Sequence, residues 1–295
     1  MFVFKVKKGV KQFIKVSENK FIDATKRKYP FYQTVKGEKR HFAYCPACEN
    51  PVSIVQLHVD KEMVDENKRQ VSMHARHLKH NVEGIGEYSQ EAYDNCPYAN
   101  PASMTSTARR ESGKVSDELL YFIQKFPDAL DIIMKRDIGI APSEELFKNM
   151  LTTFKEEEGH LYRYVTKYNL PYAFMYMADN QNLMLSKINT NSDMGKKLLV
   201  EINKNSQYCT VSKFGSIYRK KGITDFINIS FYFTDFTIDE LDGEKYQKFS
   251  LVIMEECDEE ENEVIRIEIK FDQFYYYNLI NKRVKYINIA EEVYK

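Results

Sequence analysis

The sequence lacks several features that by themselves would indicate a function. It contains no tryptophan and no uninterrupted apolar run of the roughly 18 residues that indicates a membrane-spanning helix. It also has no glycine-rich phosphate loop, no nucleophile elbow and no HExxH motif, so the enzyme classes built on these motifs find no support. The amino-terminal residues alternate Phe and Val with Lys, unlike the apolar segment of a signal peptide. We therefore expect a soluble, cytoplasmic protein with no membrane partner.

The composition is nevertheless that of a folded protein. The 295 residues exceed the usual size of one hydrophobic core, which favours about two domains. Hydrophobic residues make up 43% of the chain, and its 21 Tyr and 19 Phe supply large aromatic side chains for burial. Its five cysteines are an odd number, which favours a reducing compartment over a disulfide framework. Cys209 and Cys257 have no partner pattern, so we expect them to be core thiols.

Three cysteines and a group of histidines form the clearest chemical pattern. Cys45-Pro46-Ala47-Cys48 is a C-x2-C motif, and Cys96 is a third thiol further along the chain. Thiolates and imidazoles fill the closed tetrahedral shells of structural zinc sites. The histidines between these cysteines are spaced by three, and the central one is favoured as the fourth ligand. The predicted ligands of a structural Zn²⁺ are Cys45, Cys48, His77 and Cys96, with His74 and His80 as alternative histidines.

The order of predicted strand, Cys-Pro-x-Cys loop and second strand resembles the first half of a zinc ribbon. This resemblance covers only the knuckle and its flanking residues, and it implies a metal-stabilised β-hairpin. Ribbon knuckles commonly place glycine after the second cysteine, where the backbone turns left-handed. Here Glu49 and Asn50 follow. Asn50 tolerates the left-handed conformation better than most residues, so we expect it to accommodate the turn.

The zero net charge conceals two blocks of opposite sign. Met1–Phe42 has 12 basic and 3 acidic residues, a net charge of +9, whereas Asp239–Asp272 has 4 basic and 13 acidic residues, a net charge of −9. Aromatic residues interleave the basic block, and this combination is typical of phosphate contact and base stacking. Solvated strand faces, or contact between the two blocks within or between chains, are the alternatives. The predicted nucleic-acid contacts are Lys7, Lys8, Lys11, Lys26, Arg27, Lys28, Lys39 and Arg40.

Periodicity predicts an α+β fold with a zinc-stabilised amino-terminal β module, a helical middle segment and a carboxy-terminal antiparallel sheet. The predicted boundaries are 1–110, 111–208 and 209–295, with the sheet packed on the helical segment. Helix starts are predicted at Ser116, Pro127, Ser143, Gly159 and Ser192. The predicted strands cover 226–233, 249–257 and 264–271, with an exposed acidic loop at 258–262, a short helix at 274–280 and an edge strand at 286–289.

One catalytic alternative concerns Glu268-Ile269-Lys270. With upstream acids at Asp239, Asp242 or Asp258, Glu268 and Lys270 match the pattern of a Mg²⁺-dependent nuclease. In an alternating strand, however, Glu268 and Lys270 simply share the solvent face. The leading hypothesis is therefore a non-enzymatic, zinc-containing protein that binds nucleic acid. A protein-interaction adaptor that uses the acidic carboxy-terminal sheet, or self-association through the opposed charges, is the third alternative.

Overall fold

The computed structural model describes residues 1, 3–10, 13–57, 73–94, 96–99, 103–241, 244–258 and 260–295. The chain forms two compact units. Unit 1 comprises Met1–Pro101 and Ile238–Tyr246, and unit 2 comprises Ala102–Thr237 and Gln247–Lys295. Helices and antiparallel sheets occur together, which confirms the predicted α+β class. The three-part division at residues 110 and 208 stays a prediction.

Unit 1 is built on a four-stranded sheet with the order β3-β4-β5-β6, beside a two-stranded β1-β2 pair. Its elements are β1 (Val3–Phe4), β2 (Ile14–Lys15), α1 (Glu18–Thr25), β3 (Tyr32–Val35), β4 (Glu38–Tyr44), β5 (Pro51–Val55), β6 (His74–His77) and α2 (Gln90–Asp94). Helix α1 was not predicted. It forms because Phe21 and Thr25, one turn apart, are both buried, and Phe21 contacts Phe4 edge to face with ring centroids 5.2 Å apart.

Unit 2 has a helical part and a sheet with the order β14-β13-β12-β8, and the two share one hydrophobic core. Its helices are α3 (Lys114–Lys125), α4 (Pro127–Ile133), α5 (Glu144–Glu156), α6 (Leu170–Met177), α7 (Asp193–Asn205) and α8 (Gln273–Val293). Its strands are β7 (Ile140–Pro142), β8 (Gln181–Asn182), β9 (Ser186–Ile188), β10 (Cys209–Val211), β11 (Ile217–Arg219), β12 (Ile227–Leu241), β13 (Glu244–Cys257) and β14 (Glu260–Lys270). The adjoining ends of β12 and β13, within Ile238–Tyr246, are part of unit 1. None of the helices described here is long and apolar enough to cross a membrane.

Local capping signals located several helices correctly. Ser143 and Ser192 cap α5 and α7, because their hydroxyls accept hydrogen bonds from Leu146 N and Gly195 N. Pro127 begins α4, which continues as a π-helical turn and ends at Gly139. The start of α3 was misplaced: Ser116 lies inside its first turn and bonds to the backbone of Gly113. Cys209 and Cys257 are buried, as predicted.

The helix predicted from Gly159 is wrong. Only a short 3₁₀ turn, Gly159–Leu161, forms, and the chain then follows an irregular path to Asn169. The Arg110 guanidinium donates hydrogen bonds to three backbone carbonyls of this segment, those of Tyr162, Arg163 and Val165, at 2.6–3.0 Å. These hydrogen bonds from a side chain replace the backbone hydrogen bonds that a helix would have made.

The carboxy-terminal prediction also needs two corrections. Strands β13 and β14 pair up to Cys257 and Glu260, so the predicted acidic loop is strand from Glu260 onward. Helix α8 is continuous, so the predicted edge strand at 286–289 is wrong. Residues 273–293 contain neither glycine nor proline to interrupt the helix, and Asp272 caps it by accepting a hydrogen bond from Tyr275 N. Its exposed Tyr286 and Ile289 have no buried face that would favour a strand.

Candidate metal centre and basic pocket

The loop between β4 and β5 forms the knuckle of the metal cluster. It is closed by hydrogen bonds from Cys45 N to Asn50 O (2.9 Å) and from Glu49 N to Cys45 O (3.1 Å). Glu49 takes the left-handed conformation, with φ of 58°, in place of the expected Asn50. Asn50 is buried and has a different role. Its side chain donates to Ser89 O (2.9 Å) and accepts from Ser89 N (2.7 Å), which ties the knuckle to the segment that leads to Cys96.

Sheet register decides which histidine reaches the knuckle. In β6, His77 pairs with Val52, one residue from the start of β5, whereas His74 pairs with Val55 at its far end. Residues three apart in a strand point to opposite faces. His74 is buried away from the cysteines, and His80 lies beyond the strand and is exposed. The structure therefore places His77, and neither of the alternatives, beside the cysteines.

The four predicted ligand residues come together in one cluster. One donor atom from each of Cys45, Cys48, His77 and Cys96 lies within 4.8 Å of the others. The Sγ atoms of Cys45 and Cys96 are 3.6 Å apart, which is far longer than a disulfide bond of about 2.05 Å. His77 Nε2 is 3.5 Å from the Sγ atoms of both Cys48 and Cys96. The cluster could hold a metal ion, and among the described residues no other group of His, Cys, Asp and Glu does so.

The thiols of this cluster are strongly perturbed. Burial raises the pKa of Cys45 far above that of an ordinary thiol, because the anion would be removed from water. Hydrogen bonds from Cys45 and Cys96 lower the pKa of the Cys48 thiol. A bound divalent cation would favour the thiolate form at all three positions.

A partly buried ion pair supports the knuckle from β1. Lys5 follows β1 and is only 3% exposed, and its Nζ contacts Glu49 Oε1 at 2.5 Å. Glu49 also accepts a hydrogen bond from Gly9 N at 2.8 Å. Burial acts to raise the pKa of Glu49, but the contacts with Lys5 and Gly9 outweigh it and lower that pKa. This ion pair holds the residue after Cys48 in its left-handed conformation.

Two substitutions of Glu49 should distinguish the stability that the ion pair contributes from the cost of the left-handed backbone. We expect Glu49→Ala to lower the free energy of unfolding by about 2–3 kcal/mol, because Lys5 would remain buried without its partner. Glu49→Gly should recover about 1 kcal/mol of that loss, since glycine takes a positive φ without strain. Chemical denaturation of the metal-loaded protein measures both values. Equal stability of the two variants would contradict a strained knuckle.

The second feature of unit 1 is a basic pocket of about 390 Å³. Three cationic residues line it, Arg27 from the turn after α1 and Lys39 and Arg40 from β4, and none of the described lining residues is acidic. Arg40 also contacts Glu38, at 3.0 Å. The remaining lining residues are Tyr32, Gln33, Thr34 and His41.

The β3–β4 hairpin holds the pocket in shape. Tyr32 pairs with His41, and their rings meet edge to face with centroids 4.6 Å apart. Both rings contact buried Phe21 of α1. Gln33 bridges the backbone by donating to Pro30 O and Glu83 O, each at 2.8 Å. The walls of the pocket are therefore fixed by the fold of unit 1.

The other predicted nucleic-acid residues that the structure describes lie outside the pocket lining. Seven of the eight predicted cations fall within the described residues, and all seven are exposed. Lys11 lies outside the described residues. The four exposed cations that do not line the pocket are Lys7, Lys8, Lys26 and Lys28.

The structure provides no metal-binding group of acids around Glu268 within the residues it describes. Glu268 is exposed on β14 and forms an ion pair with Lys248 on β13. Lys270 pairs with Lys248 across the same two strands. Asp242 lies outside the described residues, and Asp258 is in the turn at the far end of the hairpin. The nuclease alternative stays a prediction.

One residue of the acidic block is not a surface charge. Glu255 on β13 is fully buried. Its carboxylate accepts hydrogen bonds from Ser206 Oγ (2.5 Å), Gln207 N (2.6 Å) and Asn262 Nδ2 (2.8 Å). It thereby joins the carboxy-terminal end of α7 to the sheet.

Comparisons with protein-family models, curated protein sequences and solved structures returned no match to this chain. Its chemistry is therefore interpreted from the two sites of unit 1. Sequence reasoning missed the role of Lys5 beside the metal cluster, and it gave Asn50 a different role from the one observed. Lys5 lies in an apparently alternating strand, and only its burial distinguishes it from the solvated lysines nearby.

Proposed function

We propose that the chain is a zinc-stabilised protein whose basic unit 1 surface binds nucleic acid. The observation that carries the proposal is the convergence of Arg27, Lys39 and Arg40 around one pocket, on a unit where four more of the predicted cations are exposed. Clustered cations of this kind bind the phosphate backbone by releasing its counterions.

The metal in this proposal is Zn²⁺ with a structural role. Zinc bonds of about 2.3 Å to sulfur and 2.0–2.1 Å to nitrogen place tetrahedral ligand atoms roughly 3.5–3.8 Å apart. Three of the observed separations, at 3.5 and 3.6 Å, agree with that geometry, and all four donor atoms lie within 4.8 Å of one another. Cys45 and Cys96 are buried, and four protein ligands leave no open position for a substrate. The zinc would fix the β4–β5 hairpin, β6 and the segment around Cys96.

Binding should depend strongly on salt. We expect the purified protein to bind a labelled oligonucleotide at low ionic strength, with affinity falling linearly in a plot of log affinity against log salt concentration. The slope should be about −0.7 per phosphate contacted on a single strand and about −0.9 on duplex DNA. Fluorescence anisotropy at salt concentrations of about 50 to 300 mM measures this dependence.

A charge-reversed variant tests the same proposal. Replacing Arg27, Lys39 and Arg40 together by glutamate should abolish binding while zinc content and circular dichroism stay unchanged. Absence of binding to DNA and RNA at low salt, or an affinity indifferent to salt, would refute the proposed function.

A further inference from the structure

The basic pocket has the dimensions of a small-molecule site. Its volume of about 390 Å³ lies near the lower end of the range of roughly 300–1,000 Å³ found for such sites. Binding along a duplex needs no such pocket, because the bases of a duplex are stacked in its interior. A base that enters a pocket must be unpaired.

The charges of the pocket suit a phosphate group. Two of the three lining cations are arginines, whose planar guanidinium binds two phosphate oxygens at once. Arg40 is partly compensated by Glu38, which leaves Arg27 and Lys39 as the principal positive charges. The exposed Lys26 and Lys28 flank Arg27 along the chain and extend the positive surface beyond the pocket.

The backbone that presents Arg27 is strained. Lys26 and Arg27 are consecutive left-handed residues, with φ of 51° and 54°, although neither is glycine. Lys26 N donates to Ile22 O, so the first of these residues also terminates α1. Strained conformations of this kind concentrate at binding sites, where the surrounding structure maintains them. Here the strained turn places the Arg27 side chain in the lining of the pocket.

The aromatic side of the pocket is preorganised. Tyr32 and His41 are half-buried and packed on Phe21, so the pocket already has its shape in the unbound protein. Aromatic side chains commonly contact the unstacked bases of single strands. Preorganisation reduces the conformational entropy that a ligand must overcome.

We infer that the basic pocket takes one unpaired nucleotide of a single strand, with its phosphate among Arg27, Lys39 and Arg40 and its base beside Tyr32 and His41. This inference rests on the proposed function and deepens it from nucleic acid in general to single strands. Duplex of equal length offers the same phosphates without a base that can enter the pocket.

The test compares a fluorescein-labelled single-stranded oligonucleotide with the corresponding duplex, at the same salt concentration, on the full chain. We expect the single strand to bind about tenfold more tightly. Arg27→Ala combined with Arg40→Ala should weaken single-strand binding by about tenfold or more, since bidentate phosphate contacts would be lost. The matched control is Lys7→Ala combined with Lys8→Ala, which removes the same charge outside the pocket and should weaken binding by only about threefold.

A second readout locates the base. An oligonucleotide that carries 4-thiouridine should photo-crosslink to the peptide containing Tyr32 or His41. Mass spectrometry identifies that peptide. Zinc content and circular dichroism of each variant establish that it is folded. Nucleic-acid binding that is equal for duplex and single strand, with equal losses in the two double variants, would overturn the inference and leave the proposed function intact. Binding of a phosphopeptide with no binding of any oligonucleotide would refute both.

Discussion

Replacement of Cys45 by serine is expected to release the metal and unfold unit 1. Cys45 is buried at the centre of the cluster, and a neutral serine hydroxyl cannot replace the thiolate. Structural zinc contributes about 10–16 kcal/mol of binding free energy in zinc-finger peptides at pH 7, so a small unit that depends on it should not stay folded without it. Elemental analysis should return about one zinc per chain for the original protein and far less for Cys45→Ser.

The two-unit architecture gives this experiment an internal reference. Unit 2 has its own hydrophobic core, so its thermal transition should change little while the transition of unit 1 disappears. His80→Ala is the matched control, because His80 is exposed and lies outside the cluster although it is three residues from His77. It should retain full metal content. A metal-free but fully folded original protein, or a Cys45→Ser variant with unchanged zinc, would contradict the metal proposal.

Replacement of Glu255 by glutamine should produce a large loss of stability in unit 2. The carboxylate accepts hydrogen bonds from Ser206, Gln207 and Asn262 in a site without solvent exposure. Glutamine has nearly the same shape, but its amide NH2 group would face groups that also donate hydrogen bonds. Buried donors would therefore be left without acceptors. We expect a loss of about 3 kcal/mol, which corresponds to a fall in Tm of roughly 6–12 °C for a unit of this size.

The neighbouring Glu256 provides the control for this substitution. It is exposed on the same strand and accepts a long hydrogen bond, 3.4 Å, from Asn228 Nδ2. Glu256→Gln should therefore change stability by less than about 0.5 kcal/mol. Differential scanning calorimetry of both variants measures the difference. If the two variants unfold at the same temperature, the buried carboxylate does not join α7 to the sheet as proposed.

Features that depend on neighbouring residues were predictable from sequence. The caps at Ser143 and Ser192 form within four residues of their partners, and the strand alternation in β13 and β14 repeats every two residues. The helix predicted from Gly159 failed because Arg110, about fifty residues earlier, takes the carbonyls that the helix needed. The edge strand predicted at 286–289 failed because an uninterrupted helix extends through it.

The sequence by itself determined the α+β class and the three cysteines of the metal cluster, because alternation, capping and ligand chemistry depend on residue type and spacing. Only the tertiary structure distinguished His77 from His74 and His80, because sheet register sets which side chain lies at the knuckle. It also showed that Lys5 and Glu255 are buried, unlike the exposed charges around them. The fold places Arg27 in the same pocket lining as Arg40 of the β3–β4 hairpin. These contacts join residues far apart in the chain, and no local pattern encodes which of several similar residues will be buried or face a distant partner.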